Sequence, residues 1–142
     1  MAVRKGDQEQ GKLQVIEASK NMLRYTYDRV RDKTFPKADR WIMPKSIWEQ
    51  AVNAHTVIVR ANEIRVENAG DARTRLLLQK EASGYLCAMM SLIDTAHMCG
   101  VISDDRAEYW SGLANKTLVL CKAWHKKERE KLKAYLTQES AG

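Results

Sequence analysis

The 142-residue chain contains two prolines, Pro36 and Pro44, and both fall inside one stretch, Phe35-Pro36-Lys37-Ala38-Asp39-Arg40-Trp41-Ile42-Met43-Pro44-Lys45-Ser46-Ile47. Proline has no backbone donor and its ring collides with the preceding turn, so it belongs in connections or in a helix's first turn. Outside this stretch the residues are helix formers at helical spacing. The stretch therefore predicts the main corner of an all-helical chain.

Apolar residues at steps of three and four predict four helices. The first runs from Leu13 to about Lys33, through Ile16, Met22/Leu23, Tyr27 and Val30. The second, from Lys45 to Asn68, carries Ile47, Ala51, Ala54, Ile58 and Ala61. Asn68-Ala69-Gly70-Asp71 reads as a break, with Gly70 in the left-handed region and Asp71 as the next N-cap. The third, Ala72 to Met98, carries Leu78, Ala82, Tyr85, Met89, Leu92, Ala96 and Cys99 on one stripe. Gly100 then stops the chain, and Ser103 with Asp104 and Asp105 opens a fourth helix bearing Trp110, Ala114, Thr117, Cys121 and Trp124. Short links make successive helices antiparallel neighbours. The expected architecture is an all-α, up-down-up-down four-helix bundle over residues 13–136, with flexible tails at 1–12 and 137–142.

Hydrophobic residues make up 44% of the chain, enough for a packed core, and no apolar run approaches the roughly 20 residues of a membrane span. The N-terminal residues lack the apolar centre of a signal peptide, so a cytoplasmic, non-membrane protein is expected. Cys87, Cys99 and Cys121 form an odd set among apolar neighbours, which predicts small core residues rather than a disulfide framework.

The net charge of +6 is concentrated. Between Lys20 and Lys45 eight basic residues face three acidic ones, and between Lys116 and Lys133 seven face two, a local +5 in each. With helices 1 and 4 side by side, the two segments would form one basic edge along the bundle. A phosphate backbone suits such an edge. Arg24, Arg31, Lys33, Lys37, Arg40, Lys122, Lys126 and Arg129 are the expected phosphate-facing residues. They would position a nucleic acid rather than read its sequence. A solvated face is the plainer alternative, because Lys126-Lys127-Glu128-Arg129-Glu130-Lys131 mixes signs and can pair along the helix.

Other chemistries lack their residues. Cys121 and His125 are spaced i, i+4 and His97 and Cys99 i, i+2, but no CxxC or four-ligand pattern accompanies them, so no metal is expected. No Glu-x-x-His pair of the di-iron bundles occurs, and there is no nucleophile elbow, Walker loop or dinucleotide-binding glycine pattern. Neither catalytic residues nor a cofactor are expected. Most aromatics fall on core stripes. Trp41 and Trp48, near the corner, are instead candidates for a subunit interface.

The corner residues Phe35-Pro36-Lys37, Asp39-Arg40 and Trp41, with the later joint Gly100-Val101-Ile102-Ser103, resemble the bacterial four-helix-bundle family of ribosomal-RNA intervening-sequence proteins and accessory variability determinant (Avd) proteins. The similarity spans about residues 13–136. The intervening-sequence branch carries a Ser-Ile-Pro-Ser-Asn kink and Ala-Glu-Gly late in helix 2. Here Ala54 to Asn62 has neither proline nor glycine, which looks more like the Avd branch. That resemblance implies a non-enzymatic homo-oligomer, a pentamer, that binds RNA or cDNA and the reverse transcriptase of a diversity-generating retroelement to support mutagenic cDNA synthesis. The alternative is an intervening-sequence-type bundle that acts as a structural or interaction protein without a nucleic-acid role.

Overall fold

In the computed structural model, which describes residues 5–39 and 42–141, four helices follow one another: α1 (Lys5–Arg31), α2 (Met43–Glu63), α3 (Ala69–Met98) and α4 (Asp104–Ala141). Each packs on its chain neighbours, and α1 also packs on α4, closing a ring of four. The pairings fix the directions. Thr26 meets Trp110 while Gly11 shares a cavity wall with Lys127, so α1 and α4 are antiparallel. Ser19 bonds His55 and Tyr27 packs on Trp48, so α1 and α2 are as well. Arg75 reaches Ala61 behind it and Glu128 in front, while His97 meets Asp104. The bundle is up-down-up-down.

The corner is built around Phe35, which is buried against Trp110 with ring centroids 6.0 Å apart. Asp32 ends α1 by accepting the Thr34 N–H at 2.7 Å. A single 3₁₀ turn, Lys37–Asp39, follows Pro36, and Pro44 sits in the first turn of α2, where its missing donor costs nothing. Met22, Phe35, Ile47, Leu86, Met89, Ile93, Ile102 and Trp110 fill this end of the bundle. Val15, Val57, Ile58, Ala82, Cys121 and Trp124 fill the other.

The α3–α4 joint forms as expected. Gly100 takes φ +73°, its N–H reaches the His97 carbonyl and that of Val101 reaches Ala96, each at 2.9 Å. This is the Schellman arrangement. The Ser103 hydroxyl then accepts from Arg106 N–H at 3.3 Å and caps α4.

Other expectations are corrected. Residues 5–12 extend α1 rather than forming a tail, because Gln8, Glu9, Gln10 and Lys12 favour helix without any apolar stripe. For the same reason α4 continues from 137 to Ala141. The second helix stops at Glu63, and Asn68, not Asp71, caps α3: its side chain accepts Asp71 N–H at 2.9 Å while Asp71 accepts Glu67 N–H at 3.0 Å. Gly70 therefore lies inside α3, and Gly100 alone among the described glycines has positive φ. Only Cys121 of the three cysteines is buried, since Cys87 and Cys99 point outward from α3 and its end. Tyr27, expected in the core, is exposed on the side of α1 that meets Trp48.

Where α2 ends, the carbonyls of Ala61 and Ile64 need partners. Arg75 supplies them: its Nε donates to Ala61 O at 2.9 Å, one terminal nitrogen donates to Ile64 O, and the other meets Glu128 at 3.3 Å. A cation in the core stripe of α3 thus terminates the neighbouring helix, with a carboxylate from α4 balancing it.

Candidate anion-binding groove

Helical spacing gathers the second basic segment on one flank of α4. Lys122, His125, Lys126 and Arg129 recur at i, i+3, i+4 and i+7 and share a face. Opposite them Leu76, Lys80 and Ser83 of α3 recur at i, i+4 and i+7. With Leu132 these side chains line an open groove of about 710 Å³. Four permanent cations line it and no carboxylate does. Beneath them the core side chains of Gln79 and Cys121 seal the helix pair, the Cys121 thiol resting 3.6 Å from the Gln79 carbonyl and its pKa pushed up by burial.

His125 reports the field in this groove. Burial first, then the positive charges of Arg129 and Lys80, lower its pKa below the ordinary 6.5. Protonation of the imidazole is thereby disfavoured among cations, and an anion bound there would relieve the repulsion.

Lys122, Lys126 and Arg129 come together as expected, but with Lys80 of α3 rather than with α1. The basic segment of α1 leans the other way. Arg31 stacks on Tyr27 at 4.9 Å, Tyr27 packs on Trp48 of α2, and Lys20 lies close enough to His55 to depress its pKa, after burial. Arg24, Lys33 and Lys37 are exposed at the corner end. Arg40 and Trp41 lie outside the described residues. The seam between α1 and α4 is lined instead by Gln14, Glu17, Ala18, Asn21, Lys116 and Leu120, a mixed surface. The single basic edge is therefore two patches, one per end of the bundle, facing different neighbours. Trp48 is half-buried against Tyr27 within its own chain, ring centroids 5.9 Å apart.

Sequence reasoning missed Lys80, which sits beside Glu81 in a locally neutral stretch. Pairing α3 against α4 in antiparallel register, as Gln79 with Cys121 does, brings it opposite Lys122. The other polar candidates have partners already: His97 is bonded to Asp104, and Cys121 to α3. Among the described residues no three His, Cys, Asp or Glu side chains converge as a metal site would need, and no helix is long and apolar enough to cross a membrane.

Fold and groove together define a helical bundle with an electropositive channel between two antiparallel helices. No family model, curated protein or solved structure matches the chain.

Proposed function

We propose that this chain binds the phosphate backbone of RNA or cDNA in the α3/α4 groove, as a non-enzymatic accessory protein of a diversity-generating retroelement. The observation that carries the nucleic-acid part is the lining of the groove: Lys80, Lys122, Lys126 and Arg129 with no acidic partner among them. Cations of a solvated face are normally interleaved with carboxylates, as they are on the α1/α4 seam. Four unopposed cations flanking a trough suit a linear polyanion, whose counterions they would release. Leu76 and Leu132 along the trough suit sugar and base faces without reading them. The retroelement context, the reverse transcriptase as partner, assembly into a homo-oligomeric ring and a cytoplasmic location rest on the resemblance carried by Phe35-Pro36-Lys37 and Gly100-Val101-Ile102-Ser103.

Fluorescence anisotropy with single-stranded RNA and DNA across a salt series tests the groove. Neutralising four phosphates on a single strand gives a slope of log affinity against log salt of about −3. The variant Lys80→Gln/Lys122→Gln/Lys126→Gln/Arg129→Gln abolishes most of that slope, whereas Arg24→Gln/Lys33→Gln/Lys37→Gln retains it. Binding that is absent at low salt, or indifferent to the groove variant, overturns the reading. Co-purification with a diversity-generating reverse transcriptase and a mass measurement in solution test the partner and the ring.

A further inference from the structure

The outward face of the α3/α4 pair carries a pattern that the core of the bundle does not explain. On α3, Lys80, Gly84, Cys87, Ser91, Asp94 and Met98 follow one another at steps of four and three, and all are exposed. On α4, Glu108, Gly112, Asn115, Val119, Lys122 and Lys126 do the same. Such steps keep one side of a helix in line, the spacing at which helices meet other helices. Among the described residues nothing covers either line.

The charges along this face have a definite order. Lys80 and Lys122 line the groove at one end, while Asp94, Asp104 and Glu108 line, with His97, a hollow of about 290 Å³ at the other. Cys87 stands seven residues from both Lys80 and Asp94, and Asn115 seven from both Lys122 and Glu108. Seven residues are two turns, about 10 Å along a helix. Gln79 against Cys121 and His97 against Asp104 set these levels side by side on the two helices. The face therefore has a cationic level, a neutral one and an anionic one, evenly spaced about Cys87 and Asn115. Lys126 and Asp104 lie a further step out, eleven residues to either side of Asn115. Asp104 holds His97, but among the described residues no ion pair engages Lys80, Lys122, Lys126, Asp94 or Glu108.

A face whose charge reverses about its centre is complementary to its own copy turned end for end. The turned copy sets carboxylates on lysines at every charged level and Met98 on Leu76, whereas a copy facing the same way would set lysine on lysine. The centre permits close approach. Gly84 and Gly112 weaken their helices, and a Cβ on either would meet nothing within 4 Å in its own chain, so no contact inside the bundle calls for glycine there. From Leu76 to Met98 the face is about 33 Å long and about 20 Å wide, roughly 650 Å² per copy. That is somewhat less than the roughly 800 Å² per partner of a standard interface, which suits a reversible association.

The geometry points to a two-fold dimer of this chain, in which the α3/α4 face packs antiparallel on its own copy, Lys80, Lys122 and Lys126 of each chain meeting Asp94, Glu108 and Asp104 of the other. The axis passes beside Cys87 and Asn115. The pairing does not rest on the nucleic-acid reading: a strand and a second copy are rival occupants of the same lysines.

Sedimentation equilibrium of the full chain at low and at high salt reads the pairing directly. The mass at low salt should be twice that at high salt, because exposed ion pairs are screened and isologous pairing closes at two. Lys80→Glu/Lys122→Glu makes both ends acidic and Asp94→Lys/Glu108→Lys makes both basic, all at exposed positions where the fold is not at stake. Each should weaken self-association by about tenfold or more, while an equimolar mixture of the two recovers the doubled mass as a heterodimer. A short bismaleimide should join two chains of Cys99→Ser through Cys87 and fail to join Cys87→Ser. A mass indifferent to salt, a mixture that stays unpaired, cross-linking through Cys99 instead, or growth beyond a single doubling overturns the inference. Nucleic acid is absent from all these measurements, so failure of the groove reading leaves them unchanged.

Discussion

The guanidinium of Arg75 lies 3.3 Å from the carboxylate of Glu128, and the two side chains are 2% and 1% exposed. Removing one member of a buried pair strands the other charge, at about 3–5 kcal/mol. Glu128→Gln and Arg75→Met should each lower urea-unfolding stability by that order. The double variant Arg75→Met/Glu128→Leu should lose much less than the two single losses added, because no charge is left unpaired. It should nonetheless stay less stable than the parent, since the Ile64 carbonyl beyond the end of α2 loses the Arg75 donor and the Ala61 carbonyl keeps only the Ile64 N–H at 3.4 Å. Full recovery would show that the pair is dispensable and that α2 is capped without Arg75.

At the corner end a neutral chain of bonds plays the comparable part. Trp110 Nε1 donates to Thr26 Oγ1 at 2.9 Å, and that hydroxyl donates to Met22 O at 2.8 Å. Thr26→Val keeps the shape but leaves the indole N–H buried and bare, a loss of about 1–3 kcal/mol. In a Trp110→Phe background the same change should cost little, because no donor remains to be stranded. Additive losses in the double-mutant cycle would show that the bond contributes nothing.

Two glycines make a controlled comparison. A Cβ at Gly84 or at Gly100 meets nothing within 4 Å, so neither substitution is decided by sterics. Gly84 lies inside α3, and Gly84→Ala should stabilise by about 0.4–1 kcal/mol through the unfolded chain's lost freedom. Gly100 holds φ +73°, and Gly100→Ala should destabilise by about 1–2 kcal/mol. Thermal melts of the two variants should move in opposite directions. A shared sign would mean that the Schellman joint relaxes without cost.

The corner and the joint were legible because proline, glycine and a serine cap act locally. The side of each helix that meets its neighbours was not. Spacing shows which residues of α4 face the core, but the hand of the bundle decides whether Lys122 looks toward α1 or α3. Summing charge along the chain therefore suggested a continuous edge where the fold makes two patches. Arg75 and Glu128 were hidden for another reason. Arg75 falls on the stripe Arg75, Gln79, Ala82, Leu86, Met89, Ile93 and Ala96, and Glu128 follows Trp110, Ala114, Thr117, Cys121 and Trp124 at the same spacing. Their burial depends on meeting each other across two helices, which no local pattern encodes.

The groove's imidazole gives a pH test with a definite sign. Burial, then Arg129 and Lys80, hold the pKa of His125 below 6.5, and burial with Lys20 does the same to His55. The unfolded chain, titrating near the ordinary value, takes up protons before the folded one does. Stability contributed by these groups is complete above about pH 6.5 and is lost as pH falls below it. Anion binding runs the other way. A phosphate backbone in the groove offsets Lys80 and Arg129, raises the pKa of His125, and so binds together with a proton. Affinity for single-stranded RNA should then be flat at high pH and strengthen as pH falls toward the lowered pKa of the free protein's His125, by at most about tenfold per pH unit. His125→Gln should flatten that rise without removing the salt slope. His55→Gln, on the α1/α2 side, should leave the rise intact while reducing the pH dependence of unfolding. An affinity that weakens on acidification, or a rise that survives in His125→Gln, would place the polyanion somewhere other than this groove.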